Sequence, residues 1–170
     1  MAAEGPDDFD FLFGSWRIHN RRLVDPLDES AAWSEFEAAS EAYPILRKLG
    51  NVQLYDAPNF PGRPGFQGYA LRLFDPKTRL WRIWWASTAG LGQLDNPVIG
   101  SFRNGMGRFE RDDTINGREI GVRFLRTEIT DTSVVGSSHS HSMVGGHSCP
   151  TGSCSISAYR PPEVLTRASQ

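Results

Sequence analysis

Cysteine is scarce in this chain of 170 residues: there are two, Cys149 and Cys154, close together in one serine-rich stretch. Two neighbouring thiols provide no disulfide framework. No apolar run approaches the ~20 residues that a membrane-spanning helix needs. The opening, MAAEGPDDFD, is acidic and has no basic segment followed by an apolar one, so no secretory signal is expected. Neither sign of charge dominates, with 18 Lys and Arg against 20 Asp and Glu, which argues against a dedicated nucleic-acid surface. The chain also lacks a nucleophile elbow and an HExxH pair. These absences lead to the expectation of one cytoplasmic domain with neither nucleic-acid nor membrane partners and no cofactor, a homodimer being allowed.

What the chain does have is strand signal. All five tryptophans lie between Trp16 and Trp85, three of them in LWRIWWAS. Aromatic residues favour strands and dominate cores. GYALRLFDPKTRLWRIWWAS reads as two strands, 68–74 and 80–87, around the turn DPKT. There Pro76 presets the second turn position and Asp75 can bond its own backbone. Asn104-Gly105 and Asn116-Gly117 are hairpin turns, because this pair readily takes the positive φ angles of a type I′ turn. They divide strands 98–102, 106–113 and 118–129. GSWRIHNRRLV reads as a long first strand, with Trp16, Ile18 and Asn20 on one face and Arg17, His19 and Arg21 on the other. AAWSEFEAASEAY has the composition of a helix, but its setting among strands favours a strand. The Pro- and Gly-punctuated YDAPNFPGRPGFQG reads as a loop. The expected fold is all-β, a single antiparallel up-and-down barrel, with a two-sheet sandwich as its rival.

DFDFLFGSWRIHNRRL resembles the opening of lipocalin-like (calycin) barrels, and more closely that of a bacterial family of unknown function related in fold to nitrobindin. The later LRLFDPKTRLWRIWW, NPVIGSFRNGMGRFERDD and VRFLRTEITDTS resemble that family's middle and late strands, so the likeness covers 8–133. It implies a barrel of about eight to ten strands with an internal cavity and a short helical plug at 9–13.

The likeness stops at Val134. The family continues with W-E-Q-A-F-S-x-D-G-G-x-T-W-x-x-N-W-x-M, whereas this chain has VVGSSHSHSMVGGHSCPTGSC. Reading each codon from its third base into the next changes the picture. Val135-Gly136 then allows tryptophan, Gly136-Ser137 glutamate, Ser137-Ser138 glutamine and His139-Ser140 phenylalanine, while Met143-Val144 must give glycine. The neighbouring frame can thus read W-E-Q-S-F-S-x-D-G-G-x-T-F-x-x-N-W-x-M, departing from the family at two positions. Residues 134–170 are therefore expected to be an out-of-frame, largely irregular tail behind an incomplete barrel domain, 1–133. On this reading His139, His141, His147, Cys149 and Cys154 are not a metal site, and their spacing matches no zinc template.

Function is expected in the barrel's interior, as the binding of a small apolar or aromatic molecule. The candidate lining residues are Trp16, Asn20, Trp33, Tyr69, Arg82, Trp84 and Phe124. Arg82 beside Trp84 is the candidate anchor for an anion; an outward, snorkelling arginine is the alternative. A second possibility is an enzyme of cyclase or isomerase type in a secondary-metabolite pathway, using the barrel as a reaction chamber. Asp112, Asp113 and Glu128 are the late-strand carboxylates singled out as candidates, and His19 is expected outside. The resemblance also reaches haem-binding barrels, in which a late-strand histidine ligates iron; no matching histidine stands before Val134. Restoring the neighbouring frame after 133 is expected to raise soluble yield and thermal midpoint, because the tryptophan and phenylalanine it restores add apolar burial. Equal behaviour of the two proteins would show that the segment as written is genuine protein.

Overall fold

Alternation of buried and exposed residues runs along almost every strand of the computed structural model, which describes residues 5–24, 30–90, 92–115, 117–142 and 149–159. A single 3-10 turn, Asp10–Leu12, precedes ten strands. These are β1 (Gly14–Leu23), β2 (Trp33–Ile45), β3 (Gly50–Ala57), β4 (Phe66–Asp75) and β5 (Leu80–Ser87). They continue as β6 (Val98–Arg103), β7 (Met106–Ile115), β8 (Arg118–Thr127), β9 (Ser133–Ser142) and β10 (Cys149–Tyr159). Each strand pairs antiparallel with its neighbours in sequence, and β10 returns to β1, with Arg17 opposite Tyr159, so the sheet closes on itself. Closure rules out the sandwich and leaves no long edge exposed.

Local chemistry accounts for the turns. Asn104 and Gly105 have φ of 52° and 77°, both central positions of the β6–β7 hairpin being left-handed as a type I′ turn requires. In the β4–β5 turn the Asp75 carboxylate accepts a hydrogen bond from the Lys77 backbone N–H at 2.9 Å. The segment AAWSEFEAASEAY is indeed extended: β2 buries Phe36, Ala38, Ser40 and Ala42 at every second position.

One end of the barrel is stopped by the residues ahead of β1. Phe9, fully buried, meets Trp81 and Phe102 edge-on at centroid distances of 4.8 and 4.9 Å and stacks near Phe109 at 5.7 Å. Such pairs are worth about 0.5–1.5 kcal/mol each beyond the area they bury. Two indole N–H groups fasten the plug: Trp16 Nε1 donates to the Leu12 carbonyl at 2.8 Å and Trp81 Nε1 to the Asp8 carboxylate at 3.1 Å. Lys48, in the β2–β3 connection, adds an exposed ion pair to Asp10 at 2.7 Å.

The expectation of a largely irregular segment after Val134 is corrected for 133–142 and 149–159, which form β9 and β10. Pairing is made by backbone groups, and serine and glycine supply N–H and C=O as valine does. Without these strands β8 and β1 would present open edges. β9 runs against β8 from Thr127 opposite Val135 to Ile120 opposite Ser142, and Val134 is buried in the core. Residues 143–148 and 160–170 lie outside the described residues. Among the described residues no helix is long and apolar enough to cross a membrane.

Trp16→Ala removes a large, buried ring that also bonds the plug, so it should lower unfolding free energy by about 3–5 kcal/mol. Trp33→Ala, at an exposed position, should cost less than about 1 kcal/mol. Denaturant midpoints of the two variants test this, and a midpoint unchanged in Trp16→Ala would contradict the packing described.

Candidate functional site

Above the plug the inward-facing residues do not fill the barrel, and a cavity of about 560 Å³ remains. Strand direction orders its lining. β1 begins beside the plug and ends at the open mouth, so Ile18 lies deep, Asn20 midway and Arg22 at the rim. β4 and β8 run opposite to β1, from the mouth to the plug, which puts Arg72 and Arg126, near their ends, close to the floor.

One wall is aromatic. Phe60 comes from the loop between β3 and β4, stacks on Phe66 at 4.5 Å and meets Phe36 at 4.9 Å. Tyr55 follows, 6.3 Å from Phe66 and 6.0 Å from Trp85. Gly68 is required here: a Cβ on it would lie 2.2 Å from the Trp85 indole, which sits across β4 at that point. The Pro/Gly-rich loop keeps Phe60 in place through left-handed Gly62 and Gly65, both at φ 75°, and a hydrogen bond from the Gly65 N–H to the Pro58 carbonyl at 2.9 Å. Arg22 lies over the Phe60 ring at 4.9 Å, at the mouth.

The polar groups of the interior form two small networks. Tyr55 Oη donates to Asn20 Oδ1 at 3.0 Å, and Asn20 Nδ2 donates to the Phe36 carbonyl at 3.3 Å. Gln53 Nε2 donates to Ser40 Oγ at 3.0 Å, and Gln53 Oε1 accepts from Arg72 Nη2. Arg72 Nη1 donates to Asn51 Oδ1 at 3.0 Å, and its guanidinium lies 5.1 Å from the Phe9 ring. Burial, and secondarily the charge of Arg126, pull Arg72 down to about 9, which leaves it protonated at neutral pH. Arg126 lies over the Phe124 ring at 4.0 Å. At the mouth Arg111 is held by Asp113 at 2.7 Å and by the Asn96 carbonyl.

Of the residues expected to line the cavity, Asn20 and Phe124 do, while Trp16 lies in the packed closed end. Trp33, Tyr69, Arg82 and Trp84 are corrected, because they point outward. Trp33 is exposed, with Arg21 over its ring at 4.4 Å. Arg82 pairs with Asp75 at 3.5 Å. Trp84 lies opposite Leu71 in an exterior row that continues through Val52 to Tyr43, and Tyr69 lies opposite Leu54 in the next. The cause is parity. Phe9 and Asp8 hold Trp81 inside, so Ile83 and Trp85 follow it inward and Arg82 and Trp84 cannot.

Sequence reasoning passed over Phe36, Tyr55, Phe60, Phe66, Arg72, Trp85 and Arg126, all lining residues. A signal was present for the two arginines. Arg72 shares its parity with Phe66, Ala70 and Phe74, and Arg126 shares its own with Ile120, Val122 and Phe124. An arginine on the apolar face of a strand is a buried cation.

None of the carboxylates weighed for catalysis lies among the lining residues. Asp112 and Glu128 are exposed, and Asp113 is taken by Arg111. His19 lies outside, its Nδ1 2.8 Å from Glu37 and its Nε2 3.6 Å from Glu35. Among the described residues no group of three or more His, Cys, Asp or Glu could hold a metal ion. His139, His141, Cys149 and Cys154 lie on the backbone of β9 and β10, and His147 lies outside the described residues.

No family model matches the chain, and no curated protein matches it. Among solved structures, it is similar to the S-type phycobiliprotein lyase CPES from Guillardia theta, with a TM-score of 0.57 at 10% identity over 91% of this chain and 92% of that one. That likeness is one of fold, and the fold is a lipocalin-like antiparallel barrel.

Proposed function

We propose that the barrel binds a small, largely apolar, ring-bearing molecule in its cavity. The observation that carries this is the cavity of about 560 Å³, in the size range of small-molecule sites, with an aromatic wall of Phe36, Phe60, Phe66, Tyr55 and Trp85. Rings of this kind offer stacking and edge contacts to a flat ligand. The few polar groups, Asn20, Gln53 and Tyr55, are oriented by hydrogen bonds to protein, as a site that selects an orientation requires. The fold shared with a phycobiliprotein lyase supports the reading at the level of the scaffold.

A catalytic reading draws less support. Among the described lining residues Asp95 at the mouth is the sole carboxylate, and none is a histidine or a cysteine. Haem does not fit the described lining either, which offers no histidine, cysteine or methionine as an axial ligand.

The uncharged dye phenylnaphthylamine, which fluoresces in apolar surroundings, should bind saturably with one site per chain. Ala70 faces the cavity, so Ala70→Phe should fill part of it and weaken dye binding at least about tenfold, for an overpacking cost of about 1–3 kcal/mol. Fluorescence titration with a parallel thermal melt checks both. Unsaturable dye uptake, or equal affinity in the variant, would overturn the proposal.

A further inference from the structure

The outer surface of the barrel differs from side to side. On β1 and β2 His19 and Arg21 pair with Glu35 and Glu37, and on β7 and β8 Arg108 and Arg123 pair with Glu110. From β2 to β5, by contrast, the outward residues are mostly apolar and fall into three cross-strand rows. The row nearest the mouth is Glu41, Leu54, Tyr69 and Ala86. The middle row is Tyr43, Val52, Leu71 and Trp84, and the row nearest the plug is Ile45, Gly50, Leu73 and Arg82. Tyr43 is 46% exposed and Leu54 45%, so this face is open to solvent. The charged residues within it are Glu41 and Arg82, of opposite sign, and Arg82 is answered by Asp75. The face therefore has no charge with which to repel a copy of itself.

Size and relief both bear on what covers it. With strands ~4.8 Å apart and a two-residue repeat of ~6.8 Å, four strands and three rows span about 400 Å² in projection. Single apolar residues on a surface are ordinary, whereas a contiguous patch of a few hundred Å² marks an interaction site. A stable interface takes about 800 Å² from each partner, an apolar core within a polar rim, and this face has the size of such a core. Tyr43 and Trp84, the largest side chains of the middle row, stand at its two ends and make it a ridge. Toward the mouth the next outward row is Ala39, Asp56, Gln67 and Thr88. Between that row and the row of Leu54 and Tyr69 an open trough of about 730 Å³ crosses the strands. Small residues, Ala39 on β2 and Ala86 on β5, widen its two ends.

We propose that this face joins two copies of the chain in a symmetric dimer, the ridge of each seated in the trough of the other. Ridge and trough lie about 10 Å apart along the strands, one and a half two-residue repeats. A two-fold axis lying in the face, across the strands and midway between ridge and trough, exchanges them. It keeps each strand over its own counterpart, so Tyr43 meets the Ala39 end of the partner's trough and Trp84 meets the Ala86 end. In such an interface one patch serves both copies, and each contact occurs twice. The face lies on the side of the barrel, so the dimer is independent of what the cavity holds.

Sedimentation equilibrium at about 50 µM, above the micromolar dissociation constant that is the weak end for an interface of this size, should give twice the chain's 18.9 kDa. Tyr43→Glu on the ridge and Ala39→Arg in the trough, both at exposed positions, should each give a monomer with the far-UV circular dichroism of the unaltered barrel. Mixed in equal amounts, the two variants should dimerise again. The mixed pair holds one native contact and one in which the new carboxylate meets the new guanidinium, and a variant that merely failed to fold would not be rescued. A monomer of the unaltered chain, whether free or sedimenting with phosphatidylcholine vesicles, would overturn the proposal. So would a dimer that survives both substitutions, or a mixture of the variants that stays monomeric.

Discussion

Phe9 is the contact on which the interior is organised. One face of its surroundings is the closed end, where Trp81, Phe102 and Phe109 pack against it, and the other is the cavity floor, where Arg72 lies against the ring. Because Trp81 is tied to the plug through both Phe9 and Asp8, the parity of β5 follows, and with it the inward placement of Trp85. A plug of a single 3-10 turn thus sets which side chains of a strand more than seventy residues downstream can meet a ligand.

The second constraint is closure. A sheet that curls must satisfy its last edge, and here β9 and β10 do so between β8 and β1. Their sequence is rich in serine and glycine, which contribute little apolar area, yet ladder bonds do not depend on side-chain type. Buried Gly136 shows how such a segment also serves the interior, since the missing Cβ is the space that Arg126 occupies. The result is a barrel whose interior is divided lengthwise: aromatic packing at the plug, cations at the floor, an aromatic wall, and a mouth of mixed charge.

Much of the architecture was legible in the sequence because it is encoded locally. The Asn104-Gly105 turn, the DPKT turn and the alternation in GSWRIHNRRL each act over a few residues, and the observed strands begin and end within a few positions of those expected, Asn116 of the second Asn-Gly pair lying outside the described residues. Trp16, Ile18 and Asn20 fall on one inward face, as period-two alternation requires. The site was less legible. In LWRIWWAS both faces carry large residues, so alternation alone leaves the choice of face open, and Arg82 with Trp84 was as plausible inside as Ile83 with Trp85. Phe60 belongs to a loop, where no periodicity speaks at all.

By itself, then, the sequence determined that this chain is a series of antiparallel hairpins with an aromatic plug ahead of the first strand, since turns and alternation are properties of adjacent residues. Only the tertiary structure decided which face of β5 is inside, that β9 and β10 close the sheet, and that Arg72 and Arg126, far apart in the chain, share one buried floor. Those outcomes depend on long-range pairing, and a register shift of one residue would exchange the inward and outward faces of a strand.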